Sequence, residues 1–525
     1  MNIPEETNET ILKTPFSLLI ALHCALLSSP TNLAAQLPQK EIGQLTELRT
    51  VSAAKELIAF LKIPNNGRLP NHVETNATWC LNTFQKLGFD TKIVSTVKGP
   101  PHVFAQKIYD DRLSTILFYL QIDGQPVDST QWNQADPYTP VLKRRVSDEW
   151  QVVDQTALTD PLDPEIRIFA RSASDSKGPA IAFITALRIL SEQQREPSFN
   201  IKVIMDFQEE IGSPTLPALV REQRELFNAD AMLIMDGTRH LSNLPTLTFG
   251  ARGIATISLK VFGAKNDLHS GHYGNFAPNP VFKLARLLAA MKDEKGKVLI
   301  PGFYDDVELT EEDKAALHAV PEDLDEIKKS LGVAAQDAVG ETYQEALQFP
   351  SLNVRGLRAA WTGDKIRTII PAEAVAEIDM RLVPETPGER MVELVRQFII
   401  DQGFHIVDSE PTDEERLKYP NLIAFSSRIG SKPFRTDMHS ELGNWLSRAM
   451  AHLFEDRFVK MRSTGGSQPI APFISELNIP AVSIRIPNPD NNIHAPNENL
   501  RLGNFLEGIR MCLSILTRPL VLDEN

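Results

Sequence analysis

Cysteine is scarce, with three in 525 residues: Cys24, Cys80 and Cys512. So few thiols exclude a disulfide framework or a thiolate zinc site in a chain this long, and any metal must be held by His and carboxylate ligands. Positive charge is also in deficit, 54 Lys and Arg against 68 Asp and Glu, for a net −14. A surface of that sign repels phosphate backbones and anionic membranes, so no nucleic-acid partner is expected. No Gly-rich phosphate loop follows an apolar strand, which argues against nucleotide binding. No apolar run reaches the length of about 20 residues that spans a bilayer. Residues 15–29 are apolar but too short to span, and small residues follow at Ala34-Ala35. Residues 1–35 therefore read as a secretory signal, although Glu5, Glu6 and Glu9 outnumber Lys13 ahead of the apolar part. The mature chain would then be periplasmic or secreted, and cytoplasmic if the signal is not used.

Apolar residues make up 42% and charged residues 23%, a balance that supports a folded core. The length favours two or three domains. From about residue 41 to 236, helical periodicity alternates with short apolar runs, the pattern of an α/β sheet. Residues 76–87 place Ala77, Cys80, Leu81, Phe84 and Leu87 on one helical face and stop at Gly88, and a second helix follows Gly178. The runs 116–122, 201–207, 231–235 and 481–486 read as strands buried on both faces.

Between residues 247 and 430 the pattern changes. Ala255, Ile257, Leu259 and Val261 alternate as in a half-buried strand. A helix carrying Leu284, Leu287, Leu288 and Met291 follows, then a strand over 375–382 and a helix over 389–400. This β-α-β-β-α-β order predicts a small ferredoxin-like α+β domain inserted into a mixed-sheet α/β domain. The expected division is 1–35 signal, 36–246 first catalytic part, 247–430 insert and 431–525 second catalytic part. The charged stretch 292–348 reads as a surface excursion.

Each of the four buried runs ends in polar residues: Gln121 and Asp123, then Glu209 and Glu210, then Asp236, then the loop carrying His494. The carboxyl ends of strands line the ligand crevice of open α/β sheets, so these groups converge on one rim. Gln121, Asp175, Glu210, Asp236 and His494 are candidate metal ligands, of O and N types suited to zinc or manganese. Adjacent Glu209 suits a general base, leaving Glu210 to coordinate. Taken singly, an acidic residue after a strand is more often a turn or a helix cap.

The stretches Leu120-Gln121-Ile122-Asp123, Arg171-Ser172-Ala173-Ser174-Asp175-Ser176-Lys177-Gly178 and Gln208-Glu209-Glu210-Ile211-Gly212-Ser213 occur in that order. Met235-Asp236-Gly237, Asp267-Leu268-His269-Ser270-Gly271, Gly465-Gly466-Ser467 and His494-Ala495-Pro496-Asn497-Glu498 follow them. As a set, over about residues 41–517, they resemble the co-catalytic zinc peptidases and amidohydrolases, a family of carnosinase-type dipeptidases, aminoacylase, acetylornithine deacetylase and glutamate carboxypeptidase. The resemblance implies two divalent ions, zinc with manganese or cobalt as alternatives. Asp175 would bridge them, Asp236 would complete one site, and Glu210 and His494 the other. It further implies Glu209 as base, Asp123 orienting the first metal-binding histidine, and a lid and dimerisation insert making a homodimer. His269 would reach a substrate oxygen in the partner's site, and Arg381 and Ser467 would hold a substrate carboxylate, a task suited to a guanidinium.

The departure is Gln121, where the family has histidine: an amide oxygen is a poorer zinc ligand than imidazole. A working two-ion site, a site with one tight ion, and a non-catalytic dimeric binding protein all remain open. The leading expectation is metal-dependent hydrolysis of a peptide or amide bond in a small peptide, as a dipeptidase or exopeptidase. N-acyl amino acid hydrolysis is the alternative.

Overall fold

The computed structural model describes Met1, residues 36–97 and residues 99–520. The expected signal segment and Cys24 lie outside the described residues. Among those described, no helix is long and apolar enough to cross a membrane.

An eight-stranded mixed sheet forms the larger unit. Its spatial order is Asp90–Val94, His102–Lys107, Asn200–Asp206, Thr115–Gln121, Ala231–Ile234, Ala481–Arg485, Thr246–Thr248 and Val459–Met461. Its four central strands, the four apolar runs of the sequence, are mutually parallel. They are almost wholly buried because helices cover both faces. On one face pack Gln39–Leu61, Lys177–Glu192, Glu441–Phe454 and Leu502–Thr517. On the other lie Leu216–Glu222 and Ala471–Leu477, closing a second apolar layer around Phe227 and Phe473.

The helix expected over 76–87 begins six residues earlier, as Pro70–Lys86, because Pro70 occupies the first turn, where a missing N–H costs nothing. Its end is as expected. Gly88 has φ 79°, and the N–H of Phe89 reaches back to the carbonyl of Phe84 at 3.1 Å.

Within residues 253–429 lies a five-stranded sheet ordered Ser351–Arg358, Glu373–Leu382, Gly253–Phe262, Leu422–Ile429 and His405–Val407. Ala255, Ile257, Leu259 and Val261 all point into a core shared with helices Pro280–Met291 and Gly388–Asp401. The expected order holds with one further edge strand, His405–Val407, parallel to its neighbour. The charged excursion is not featureless. It contains helices Glu311–His318, Leu324–Leu331 and Tyr343–Ala346, the first opened by a reciprocal Thr310–Asp313 capping box.

Candidate metal centre

The parallel register brings the ends of the central strands to one edge. Gln121 closes its strand opposite Asp206, Asp236 follows the neighbouring strand by two residues, and His494 lies in the loop after Ala481–Arg485. Immediately beyond Asp206 the chain makes a single 3-10 turn, Glu209–Ile211, closed by Gly212 at φ 82°. Asp123 holds that turn: its two carboxylate oxygens accept the backbone N–H groups of Glu209 at 3.0 Å and Glu210 at 3.2 Å. There is no histidine at position 121 for Asp123 to orient, and its carboxylate instead fixes the glutamate pair.

His494 Nε2 lies 3.0 Å from Asp175 Oδ2 and 3.2 Å from Glu210 Oε2. Ligand atoms of these three residues all fall within 4.8 Å of one another, a span one divalent cation can occupy. Hydrogen bonds to Asp175 and Glu210 push the imidazole of His494 up from its ordinary value. Glu210 also accepts from Gln125 at 2.7 Å. The carboxylate of Glu209, by contrast, has no hydrogen-bond partner among the described side chains. Desolvation raises it well above the usual carboxylate range, with the charges of Asp236, Asp175, Glu210 and Asp123 adding to the effect.

The Gln121 and Asp236 half is built differently. Asp236 accepts from Ser176 Oγ at 2.6 Å and from Gln468 Nε2 at 3.2 Å. The guanidinium of Arg485 packs so tightly on Gly237 that any Cβ there would collide with Nη1. Gln121 is buried, and its Nε2 has no hydrogen-bond partner among the described residues. A guanidinium beside a carboxylate opposes a divalent cation there, whereas Asp175, Glu210 and His494 gather three ligand atoms within one ion's reach.

Of the remaining expected residues, Arg381 and Ser467 meet, with Arg381 Nη1 donating to Ser467 Oγ at 3.0 Å across the two sheets' units. Beside them a cavity of about 540 Å³ is lined by Gly212, Ile254 and Pro469, by cationic Arg221, Arg428 and Lys432, and by Glu476, which pairs with Arg221 at 3.8 Å. His269 is not brought into the cluster. It is exposed, accepts from the Gly271 N–H at 3.1 Å and lies with its ring centroid 4.6 Å from that of His272.

Sequence reasoning did not single out Ser176, Gln468, Arg485 or Glu498. Arg485 carried a readable signal, a lone charge inside an otherwise apolar run that needs a counter-charge once buried. Glu498 is the anchor of the Asp175 loop. Its buried carboxylate accepts from Arg171 Nη1, the N–H groups of Ser172, Ser174 and Asp175, and Ser174 Oγ, all within 2.7–2.9 Å.

The sequence model of peptidase family M20/M25/M40 matches residues 117–518. The chain is 28% identical over 431 residues to the Cys-Gly metallodipeptidase dug1 of Schizosaccharomyces pombe, covering 81% of this chain and 84% of that one. It is 26% identical over 519 residues to the Beta-Ala-His dipeptidase of Homo sapiens, covering 94% and 95%. Among solved structures, an M20 family metallo-carboxypeptidase, Sso-CP2 from Sulfolobus solfataricus, superposes with a TM-score of 0.73 at 27% identity, over 90% of this chain and 99% of that one.

Proposed function

The chain belongs to peptidase family M20/M25/M40, and on that premise we propose that it is a metal-dependent dipeptidase or exopeptidase cleaving small, carboxylate-bearing peptides. The observation that carries this is the pairing of the Asp175, Glu210 and His494 donor set with the carboxylate of adjoining Glu209, which has no hydrogen-bond partner among the described residues. A divalent ion on that donor set, for which zinc is the proposed identity and manganese or cobalt the alternatives, would polarise the scissile carbonyl and make bound water acidic near neutral pH.

The chain's own groups do the rest. Glu209 takes the proton of the attacking water and returns it to the leaving amine nitrogen. Asp123 keeps Glu209 aimed by holding its backbone. Arg381, set by Ser467, receives the substrate's carboxylate, and the neighbouring cationic cavity favours acidic over basic substrates. His269, exposed and outside the cluster, is assigned to the site of a second copy in a homodimer. The leader over residues 1–35 is assigned to export.

The test is a panel of dipeptides and a panel of N-acetyl amino acids, each with zinc, manganese or cobalt, read by release of free amino acids. Cleavage of dipeptides, lost on chelation and lowered about 10²–10⁴-fold in Glu209→Ala without loss of bound metal, is the expected outcome. Cleavage of the acetylated panel alone makes the chain a deacylase, and turnover untouched in Glu209→Ala overturns the mechanism.

A further inference from the structure

The relatives' chemistry and the resemblance lead one to expect two ions, yet the side of the site toward the centre of the sheet is already furnished with positive charge and hydrogen-bond donors. Both oxygens of Asp236 are engaged, Oδ1 by Ser176 and Oδ2 by Gln468. Gln468 is itself held in orientation, its Oε1 lying 3.5 Å from Ser483 Oγ. Two residues beyond Ser483 on the same strand, Arg485 turns its guanidinium under Gly237. Its Nε reaches Thr248 Oγ1 at 3.3 Å, and Nη2 is buried without a partner. The charged groups that face Arg485 are Asp236 first and Asp175 second. Across the site, the buried Nε2 of Gln121 is likewise unpartnered.

Two nitrogen donors, from Gln468 and Arg485, thus stand on the Asp236 side, where a second cation would sit. A guanidinium stays charged at all working pH values and is repelled by any divalent ion brought beside it. It also neutralises the carboxylate that such an ion would need. Glu210 Oε2 accepts from the neutral amide of Gln125 at 2.7 Å and Asp175 Oδ1 from Ser176 Oγ at 3.2 Å, and the guanidinium acts on Asp175 less than on Asp236.

We propose that this chain is a single-ion enzyme: one divalent cation is held by Asp175, Glu210 and His494, and Arg485 stands in for the second cation by neutralising Asp236, with Gln468 and Ser176 as donors to that carboxylate. This rests on the hydrolase reading above and refines its cofactor.

The experiment is metal counting on the full chain after incubation with excess zinc and desalting, by elemental mass spectrometry and by titration calorimetry. One ion per chain and a one-site isotherm are expected. Asp236→Asn should keep that ion and Glu210→Ala should lose it. Gln121→His combined with Arg485→Leu should raise the count to two, provided circular dichroism shows a folded protein. If that double variant does not fold, anomalous scattering from zinc-loaded crystals of the unsubstituted chain decides, with one peak expected at His494. Two ions in the unsubstituted chain, or loss of the single ion in Asp236→Asn, overturns the single-ion assignment and leaves the hydrolase reading standing. No ion at all, with no turnover, overturns both.

Discussion

The backbone N–H of Asp175 donates to Oε1 of Glu498 at 2.9 Å, joining residues 323 positions apart. Through that bond, and the four others converging on the same carboxylate, the loop carrying Asp175 is tied to the segment that carries His494. The candidate cluster of Asp175, Glu210 and His494 therefore joins the first and last parts of the chain.

Glu498→Gln tests that tie. The substitution leaves Arg171 as a buried charge without its carboxylate and turns an amide donor toward donors. Loss of about 3–5 kcal/mol in a urea melt is expected, with metal affinity reduced about 10–100-fold in calorimetry because Asp175 loses its anchor. An unchanged melt would show that the five bonds contribute nothing net.

Arg381→Met separates binding from chemistry. For substrates with a free carboxylate, KM should rise about 10–100-fold, the worth of one charged hydrogen-bonding contact, with kcat nearly unchanged. Substrates amidated at the same position should be cleaved equally by both proteins. Equal loss on both series would place Arg381 elsewhere in the reaction.

The thiols of Cys80 and Cys512 are free and buried, and burial pushes Cys80 up to about 12 and Cys512 higher still. Neither should react with a thiol reagent at neutral pH in the native protein, and both should react in guanidinium chloride. Rapid native labelling of either would contradict the packing around the helices Pro70–Lys86 and Leu502–Thr517.

Lys177 gives a pH signature. Its ammonium nitrogen is fully buried, donates to the carbonyls of Phe60 at 3.0 Å and Ile63 at 2.8 Å, and has its affinity for protons lowered well below the ordinary lysine value by burial. Between that lowered value and the usual value of about 10.4, the unfolded chain binds a proton that the folded one does not. Stability from this group therefore rises with pH across the window. In urea melts, the wild-type protein should gain on Lys177→Met as pH is raised toward 10.4; a difference independent of pH would refute the assignment.

The strands and the edge they share were legible in the sequence because parallel strands buried on both faces appear as uninterrupted apolar runs, and the polar residue that ends each run marks the rim. Asp175, Glu210 and His494 were legible for the same reason and do meet. Glu498 was visible only as the last residue of a matching stretch, since nothing in a single glutamate reveals five donors arriving from residues 171–175. The helix Pro70–Lys86 was read too short because Val73 lies a turn ahead of the clear apolar stripe and Pro70 masks the start.

What the sequence alone determined is the order of the elements, the insertion of one sheet's residues within another's, and the edge at which carboxylates and a histidine gather, all of which follow from periodicity and chain order. Only the tertiary structure brought Asp175, Glu210 and His494 within one ion's reach and set donors on Asp236. The balance there depends on how near Arg485, Gln468 and Ser176 come to Asp236, and Coulomb and hydrogen-bond energies vary with distances in space that spacing along the chain does not encode.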